Sequence, residues 1–550
     1  MNIGISLPNL RRVRHILSVL VLDYGLGSFF DRLGVSTVLP LGRRGLARAH
    51  ARLSGAQRLR LALEELGPTF MKLGQVLSAR ADLLPADVVA ELRRLQDEGP
   101  AVPFDELRVP IETELGRPIE RCFREIDPEP LSAASLGQVH AAVLPDGRQV
   151  TVKVLRPGAG RLVESDVLIL SEAGRLLDRQ VPSLRVYDLP GFMRRFSEQI
   201  QDELIYTLEG HNADRLRQTL KDAGIRAHIP EVIWDLTTRR VLTTERVYGH
   251  RVDRLAQAAF DRAEVARMLG TSMLHQMFID GFFHGDPHQG NVLFEDDGTI
   301  VMLDFGIMGY LDPRNRSLLA QMMRNVYRED VDGVIDVMSE LGTVGGDTDL
   351  ASLRADLTGL ISRFVTLPRR DFPLGELLTR MLRALWLNQV RVSPELSLAV
   401  KAVLMTEAIC GELDPAFDFR DLAQPVVEEA RKKELTIDAM YDRIARVGSS
   451  ALHHMSKLPS QIDRMLSLTN QGGLRMRMDD PDGNQQLSHI SRSVNRLTLA
   501  ILSASLLVTS AIYLSSARHA AHVGLGIAAI FAGIVVGLIA LFHVLRPGRV

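Results

Sequence analysis

The hydrophobic pattern changes period several times along the chain. Between residues 57 and 97 it is helical: Leu59, Leu61, Leu63 and Leu66 lead to Gly67-Pro68, where Pro in a first turn starts a second helix. Pro85 opens a third helix, with Val88, Val89, Leu92 and Leu95 on one side. From Val139 the period falls to two. Val139 to Leu144 reads as a strand, Pro145-Asp146-Gly147 as a turn, and Val150, Val152 and Val154 then alternate with Gln149, Thr151 and Lys153. Residues 165–220 return to a helical pattern, and Val241 to Val247 reads as another strand. An apolar helix over 261–283 (Val265, Met268, Leu269, Met273, Met277, Phe278) delivers the chain to His284. Two short apolar runs, Val292–Phe294 and Thr299–Leu303, flank the acidic turn Glu295-Asp296-Asp297-Gly298, a hairpin signal. Residues 315–470 are mostly helical, and the Asp-, Gly- and Asn-rich stretch from Asp479 to Gln486 reads as a linker. Leu497–Leu514 carries no charge over 18 residues, and Val523–Leu545 carries no Asp, Glu, Lys or Arg over 23. Each run is long enough to cross a bilayer. Arg492, Arg496, Arg546 and Arg549 flank them on one side, which predicts a multi-pass inner-membrane protein with its body in the cytoplasm.

At 550 residues the chain is too long for one compact domain. The net charge of −2 conceals an asymmetry: residues 1–60 hold ten Arg and only Asp23 and Asp31 as acids. A basic leader with Ile16 to Leu22 inside it predicts a helix lying on an anionic lipid surface. Two cysteines, Cys122 and Cys410, without metal-type spacing exclude a disulfide framework and a Cys-built zinc site.

Chemistry concentrates at His284 to Gly306. Asp286 and Asn291 stand five positions apart before the hairpin, and Asp304-Phe305-Gly306 closes it. Kinase-type phosphoryl transfer uses a catalytic-loop Asp, an Asn that holds Mg²⁺, and an Asp-Phe-Gly whose Asp holds Mg²⁺. On that reading ATP and Mg²⁺ are the cofactors, Asp286 is catalytic, and Asn291 and Asp304 are metal ligands. Lys153 suits a phosphate contact as a point charge. The small residues before its hairpin, Ala133, Ala134, Ser135, Leu136, Gly137 and Gln138, form a loop that approaches phosphates closely. The strand carrying Glu245 leads through Val247 to a nucleotide-binding hinge. Glu198, Asp202, Glu203 and Glu209 are candidates to pair with Lys153, and spacing does not choose among them. Lys401 and Glu407 read as structural charges, and spacing assigns nothing to Lys72 or Gln75.

These residues resemble the UbiB family of atypical kinase-like proteins. Lys72-Leu73-Gly74-Gln75 matches the family's Lys-x-Gly-Gln signature, and Glu203 to Asn212 resembles a family helix with two Glu. The resemblance implies a helical extension folded over the site, with Lys72 and Gln75 regulatory, Glu203 facing that extension, and Glu209 paired with Lys153. It implies an α+β, two-lobed kinase-like fold with a C-terminal transmembrane hairpin. The expected divisions are a basic leader (1–56), the extension (57–125), an N-lobe (126–250), a C-lobe (251–478), a linker (479–496) and the membrane hairpin (497–545). The implied activity is Mg²⁺-dependent ATP hydrolysis supporting ubiquinone biosynthesis. The implied partners are membrane lipids, prenylated quinone precursors and other ubiquinone-biosynthesis proteins, not nucleic acid, with a homodimer left open. A genuine kinase and a nucleotide-gated scaffold are the competing readings.

Overall fold

The computed structural model describes residues 7–26, 53–78, 84–92, 94–95, 101–181, 188–255, 260–343, 349–367, 372–388 and 390–434. All belong to the first of two compact units, Met1–Met440. The two expected membrane runs and the linker lie outside the described residues. Among the described residues no helix is long and apolar enough to cross a membrane. The multi-pass inner-membrane placement read from the sequence is therefore corrected: it has no counterpart among the described residues.

Among the described residues the extension is built from α1 (Leu7–Leu17), α2 (Gly55–Leu66), α3 (Pro68–Ser78) and α4 (Ala86–Leu92). Ser54 caps α2 in a capping box with Gln57, and Pro68 opens α3 as its rigid φ allows. The leader departs from the sequence reading. Ile16, Val19, Tyr24 and Leu26 are buried in one cluster with Ala62, Leu66, Phe70 and Leu92. Over residues 7–26 the apolar side built from Ile16, Val19, Tyr24 and Leu26 is therefore turned into the protein. An amphipathic stripe is the same signal for either surface, and here protein packing claims it.

Helices α5 (Phe104–Leu115) and α6 (Ile119–Cys122) precede a sheet of four antiparallel strands ordered β1-β2-β3-β5. These are β1 (Glu125–Ala133), β2 (Gly137–Val143), β3 (Gln149–Leu155) and, after the short β4 (Ala227–His228), β5 (Val241–Glu245). The alternation on β3 sorts its faces. Val150, Val152 and Val154 are buried with Leu107 and Ile111 of α5, leaving Thr151 and Lys153 on the other face. Lys153 stands opposite Val139 on one side and Leu242 on the other.

The expected phosphate loop over 133–138 is shorter than predicted: β1 runs to Ala133 and β2 starts at Gly137. The single helical region expected at 165–220 is three helices, α7 (Ala159–Gln180), α8 (Leu189–Asp202) and α9 (Tyr206–Asp222). Asp188, in a left-handed conformation, caps α8 through Gly191 N–H.

The second lobe begins with α10 (Arg262–His275), which passes through a π-turn into β6 (Phe282–His284). The hairpin read from the sequence is present: β7 (Val292–Phe294) pairs antiparallel with β8 (Ile300–Met302), and β6 pairs with β9 (Met308–Tyr310). Helices α11 (Pro313–Tyr327), α12 (Val331–Leu341), α13 (Leu350–Thr366), α14 (Leu374–Leu387), α15 (Pro394–Leu413) and α16 (Phe419–Glu434) complete it around a core rich in Leu, Met and Phe. Glu407 accepts from Leu374 and Gly375 N–H at the start of α14, a half-buried structural charge.

Candidate active site

Strand β3 and helix α9 bring the first ion pair together. Lys153 Nζ donates to both carboxylate oxygens of Glu209, at 2.8 and 2.9 Å. Packing therefore makes the choice among four acids that spacing leaves open. The Tyr206 ring lies 5.2 Å from the same ammonium. Burial opposes the Lys153 charge, but Asp304 and Glu209 together raise its pKa well above the ordinary value. Burial and the nearby Asp304 push the Glu209 carboxyl up, while the bidentate contact with Lys153 favours its ionised form.

Asp304 lies 3.9 Å from Lys153 Nζ. It is held in a left-handed conformation, φ 56°, with Oδ1 accepting from Gly306 N–H at 3.1 Å. Asp tolerates that conformation better than most residues. Half of its side-chain surface is open, 51 %, although protein surrounds it within the cleft. The Lys153 ammonium holds its carboxyl far below the usual range against the opposing effect of burial, and Lys72 and Gly306 N–H add to this. Asn212 of α9 donates to Phe305 O at 3.0 Å, tying the Asp-Phe-Gly segment to the helix that carries Glu209.

The loop before β7 is wired by its own groups. Asp286 N–H donates to His284 Nδ1 at 3.1 Å, and His284 Nε2 lies 3.0 Å from Leu303 O. Nδ1 accepts, so the ring is neutral with its proton on Nε2. Burial, which lowers the His284 pKa, favours this state. Asn291 Nδ2 donates to Asp286 O at 3.2 Å, and Leu303 N–H donates to Asn291 O at 2.8 Å. The Asn291 amide is thus oriented by its nitrogen, leaving its oxygen for a cation. Two hard oxygens, from Asn291 and Asp304, fit Mg²⁺, which takes few protein ligands and keeps water and phosphate oxygens. Among the described residues no cluster of three or more His, Cys, Asp or Glu exists that would hold a metal by protein alone.

The other predicted residues fall into two groups. Lys72 reaches the site: its ammonium is 3.1 Å from Glu203. Gln75 does not, since its amide donates to Leu95 O at 3.3 Å within the extension. Gln138 turns away from the cleft. It is fully buried, exchanges hydrogen bonds with Val102 N–H and O, and contacts His140. Ala133 to Leu136 form the tight turn, closed by Ala134 N–H to Gly137 O at 2.8 Å. A Cβ at Gly137 would stand 2.2 Å from Tyr206 Oη and 2.8 Å from Val154 O. Gly137→Ala is therefore expected to displace Tyr206 from Lys153 and cost about 1–3 kcal/mol. Thermal unfolding and nucleotide titration of that variant check this, with Ala134→Gly as the milder comparison.

Glu245 ends β5 with its carboxylate engaged by His228 Nε2 at 3.2 Å, while His228 Nδ1 lies 2.6 Å from Glu295. Val247 follows in the half-buried connection. His228 thus ties the hinge strand to the β7–β8 hairpin. Burial works against its charge, but Glu295 and Glu245 outweigh burial and raise its pKa. A raised folded-state pKa stabilises the protonated form. That contribution is full below the ordinary imidazole value of about 6.5 and is lost as pH rises through the raised value. His228→Gln is expected to flatten the stability–pH curve over this interval, as measured by urea unfolding at stepped pH.

Sequence reading missed Lys401. Its Nζ lies 2.7 Å from Asp286 Oδ1. No local signal could have found it, because it comes from α15, more than a hundred residues downstream.

A sheet lobe with a Lys–Glu pair, facing a helical lobe with Asp, Asn and Asp-Phe-Gly on a hairpin, defines an atypical kinase-like protein. The ABC1 atypical kinase-like domain profile matches residues 94–338, and the UbiB helical domain profile matches residues 357–418. The probable protein kinase UbiB of Marinobacter nauticus is 32 % identical over 463 residues, covering 82 % of this chain and 81 % of that protein. Its namesake from Xanthomonas euvesicatoria is 31 % identical over 511 residues, covering 90 % and 91 %. The uncharacterized protein sll0095 of Synechocystis is 32 % identical, covering 88 % and 87 %. A solved complex of Rv3197 with erythromycin from Mycobacterium tuberculosis shows 21 % identity and a TM-score of 0.45, covering 65 % of this chain and 92 % of that one. The chain belongs to the UbiB family, which implies a role in ubiquinone biosynthesis.

Proposed function

We propose that the protein binds ATP with Mg²⁺ in the cleft between β3 and the β7–β8 hairpin and hydrolyses it. The observation that carries this is the Lys153–Glu209 ion pair within 3.9 Å of the Asp304 carboxylate. Lys153 holds the α- and β-phosphates, and Glu209 orients Lys153. Asn291 and Asp304 hold Mg²⁺, which neutralises phosphate charge when bound. Asp286 orients the attacking water, whose oxygen joins the γ-phosphorus as the bond to the β–γ bridging oxygen breaks; the proton leaves to solvent. The Lys72–Glu203 pair at 3.1 Å supports a closed site with little room for a protein acceptor. The substrates this activity serves are prenylated quinone precursors or the enzymes that process them.

The test uses the full chain with Mg²⁺ and γ-labelled ATP, with and without a phenolic quinone-precursor mimic. Free phosphate that rises with the mimic supports this reading. Label accumulating on a protein or small acceptor replaces it with a kinase, and bound nucleotide without turnover replaces it with a scaffold.

A further inference from the structure

The catalytic loop His284-Gly285-Asp286-Pro287-His288-Gln289-Gly290-Asn291 contains no Lys or Arg. An acid there has no cation within its own loop. Helix α15, inside the UbiB helical domain, supplies one. Lys401 Nζ lies 2.7 Å from Asp286 Oδ1, with 27 % and 23 % of the two side chains exposed. Oδ1 is buried and makes no well-directed hydrogen bond, so the ammonium is its counter-charge. Without it, a buried carboxylate oxygen would face protein with no compensation.

The contact is one part of a longer seam. Glu412, further along α15, accepts from Gln289 Nε2. Leu398 packs so closely on Gly285 that a Cβ there would stand 3.1 Å from its Cδ2. At about 100° per residue, positions 398, 401 and 412 fall within about 60° of one another around the helix. One face of α15 thus runs along the loop from Gly285 to Gln289, and Lys401 is the point where it meets the reacting group.

We propose that Lys401 is a positioning residue for phosphoryl transfer, through which the helical domain sets the aim of the Asp286 carboxylate. This rests on the phosphoryl-transfer reading and adds to it a residue whose action runs through Asp286. Misaiming a reacting group by about 1 Å costs up to about a hundredfold in rate. Lys401→Met is expected to lower kcat for ATP hydrolysis about ten- to hundredfold while leaving the KM for ATP within about twofold. Lys401→Arg, which keeps the charge, recovers part of the loss. In an Asp286→Asn background Lys401→Met adds nothing further, because the group it acts through is already gone.

A second readout does not need turnover. Amide hydrogen exchange over 285–291 in the nucleotide-free full chain is expected to speed up in Lys401→Met, with exchange in β1–β3 unchanged. Exchange and kcat that both match the wild type would overturn the proposal. So would an equal loss from Lys401→Met in both backgrounds, which marks a structural role. If the wild type hydrolyses no ATP, the phosphoryl-transfer reading fails, while the exchange measurement still reports on Lys401.

Discussion

Lys153→Met is expected to abolish ATP turnover, by at least about a thousandfold, and to destabilise the fold by about 3–5 kcal/mol. Two separate effects are involved. Lys153 is the phosphate cation, so its loss removes a charge that positions the nucleotide. It is also the counter-charge of Glu209, whose side chain is 9 % exposed and which is pushed toward protonation by burial and by Asp304. Removing one partner of a buried pair costs more than removing both. Lys153→Met with Glu209→Gln is therefore expected to recover most of the stability and none of the activity. Urea unfolding alongside phosphate release separates the two effects. Equal destabilisation in the single and double variants would show that Glu209 is not held by Lys153.

Arg12→Ala is expected to have the largest effect on the extension. Arg12 Nε and Nη2 lie 2.7 and 2.9 Å from the two oxygens of Asp166, whose side chain is fully buried, and Nη2 also donates to Leu66 O at 2.7 Å. The fork joins α1 to both α7 and the end of α2. Truncating it leaves a carboxylate without a partner at zero exposure, again a loss of about 3–5 kcal/mol. The cheapest relief is release of α1, which uncovers Phe70 of the helix that carries Lys72. Limited proteolysis should then cut within residues 7–26 at protease levels that leave the wild type intact. Pairing Arg12→Met with Asp166→Leu is expected to restore resistance.

Much of this arrangement was legible in the residue pattern, because strand alternation and turn chemistry are local. The β2–β3 and β7–β8 hairpins follow from period-two runs around Pro145-Asp146-Gly147 and an acidic turn ending in Gly298. Those hairpins put Lys153 and Asp304 where the pattern places them. What could not be read depends on contacts between distant segments. Glu198, Asp202, Glu203 and Glu209 look alike in sequence, and only the docking of α9 under β3 selects Glu209. Gln138 looks available in a loop, yet β2 begins one residue earlier and turns it toward Val102. The leader's apolar stripe fits a membrane or a protein partner equally well, and α2, α4 and α7 supply the partner. Lys401 carries no local mark, since its role exists only because α15 lies along the catalytic loop.

The central claim is that Asp304 and Asn291 hold Mg²⁺ for a nucleotide whose phosphates meet Lys153. Calorimetric titration of ATP into the full chain, with Mg²⁺ or with chelator, for the wild type and Asp304→Asn, tests it most directly. Asn suits the left-handed backbone at this position, so the variant removes charge without forcing the main chain. The expected result is wild-type affinity at least about tenfold tighter with Mg²⁺ than without, and no such difference in Asp304→Asn. Binding that is indifferent to Mg²⁺ in the wild type, or a Mg²⁺ effect that survives in Asp304→Asn, would contradict it.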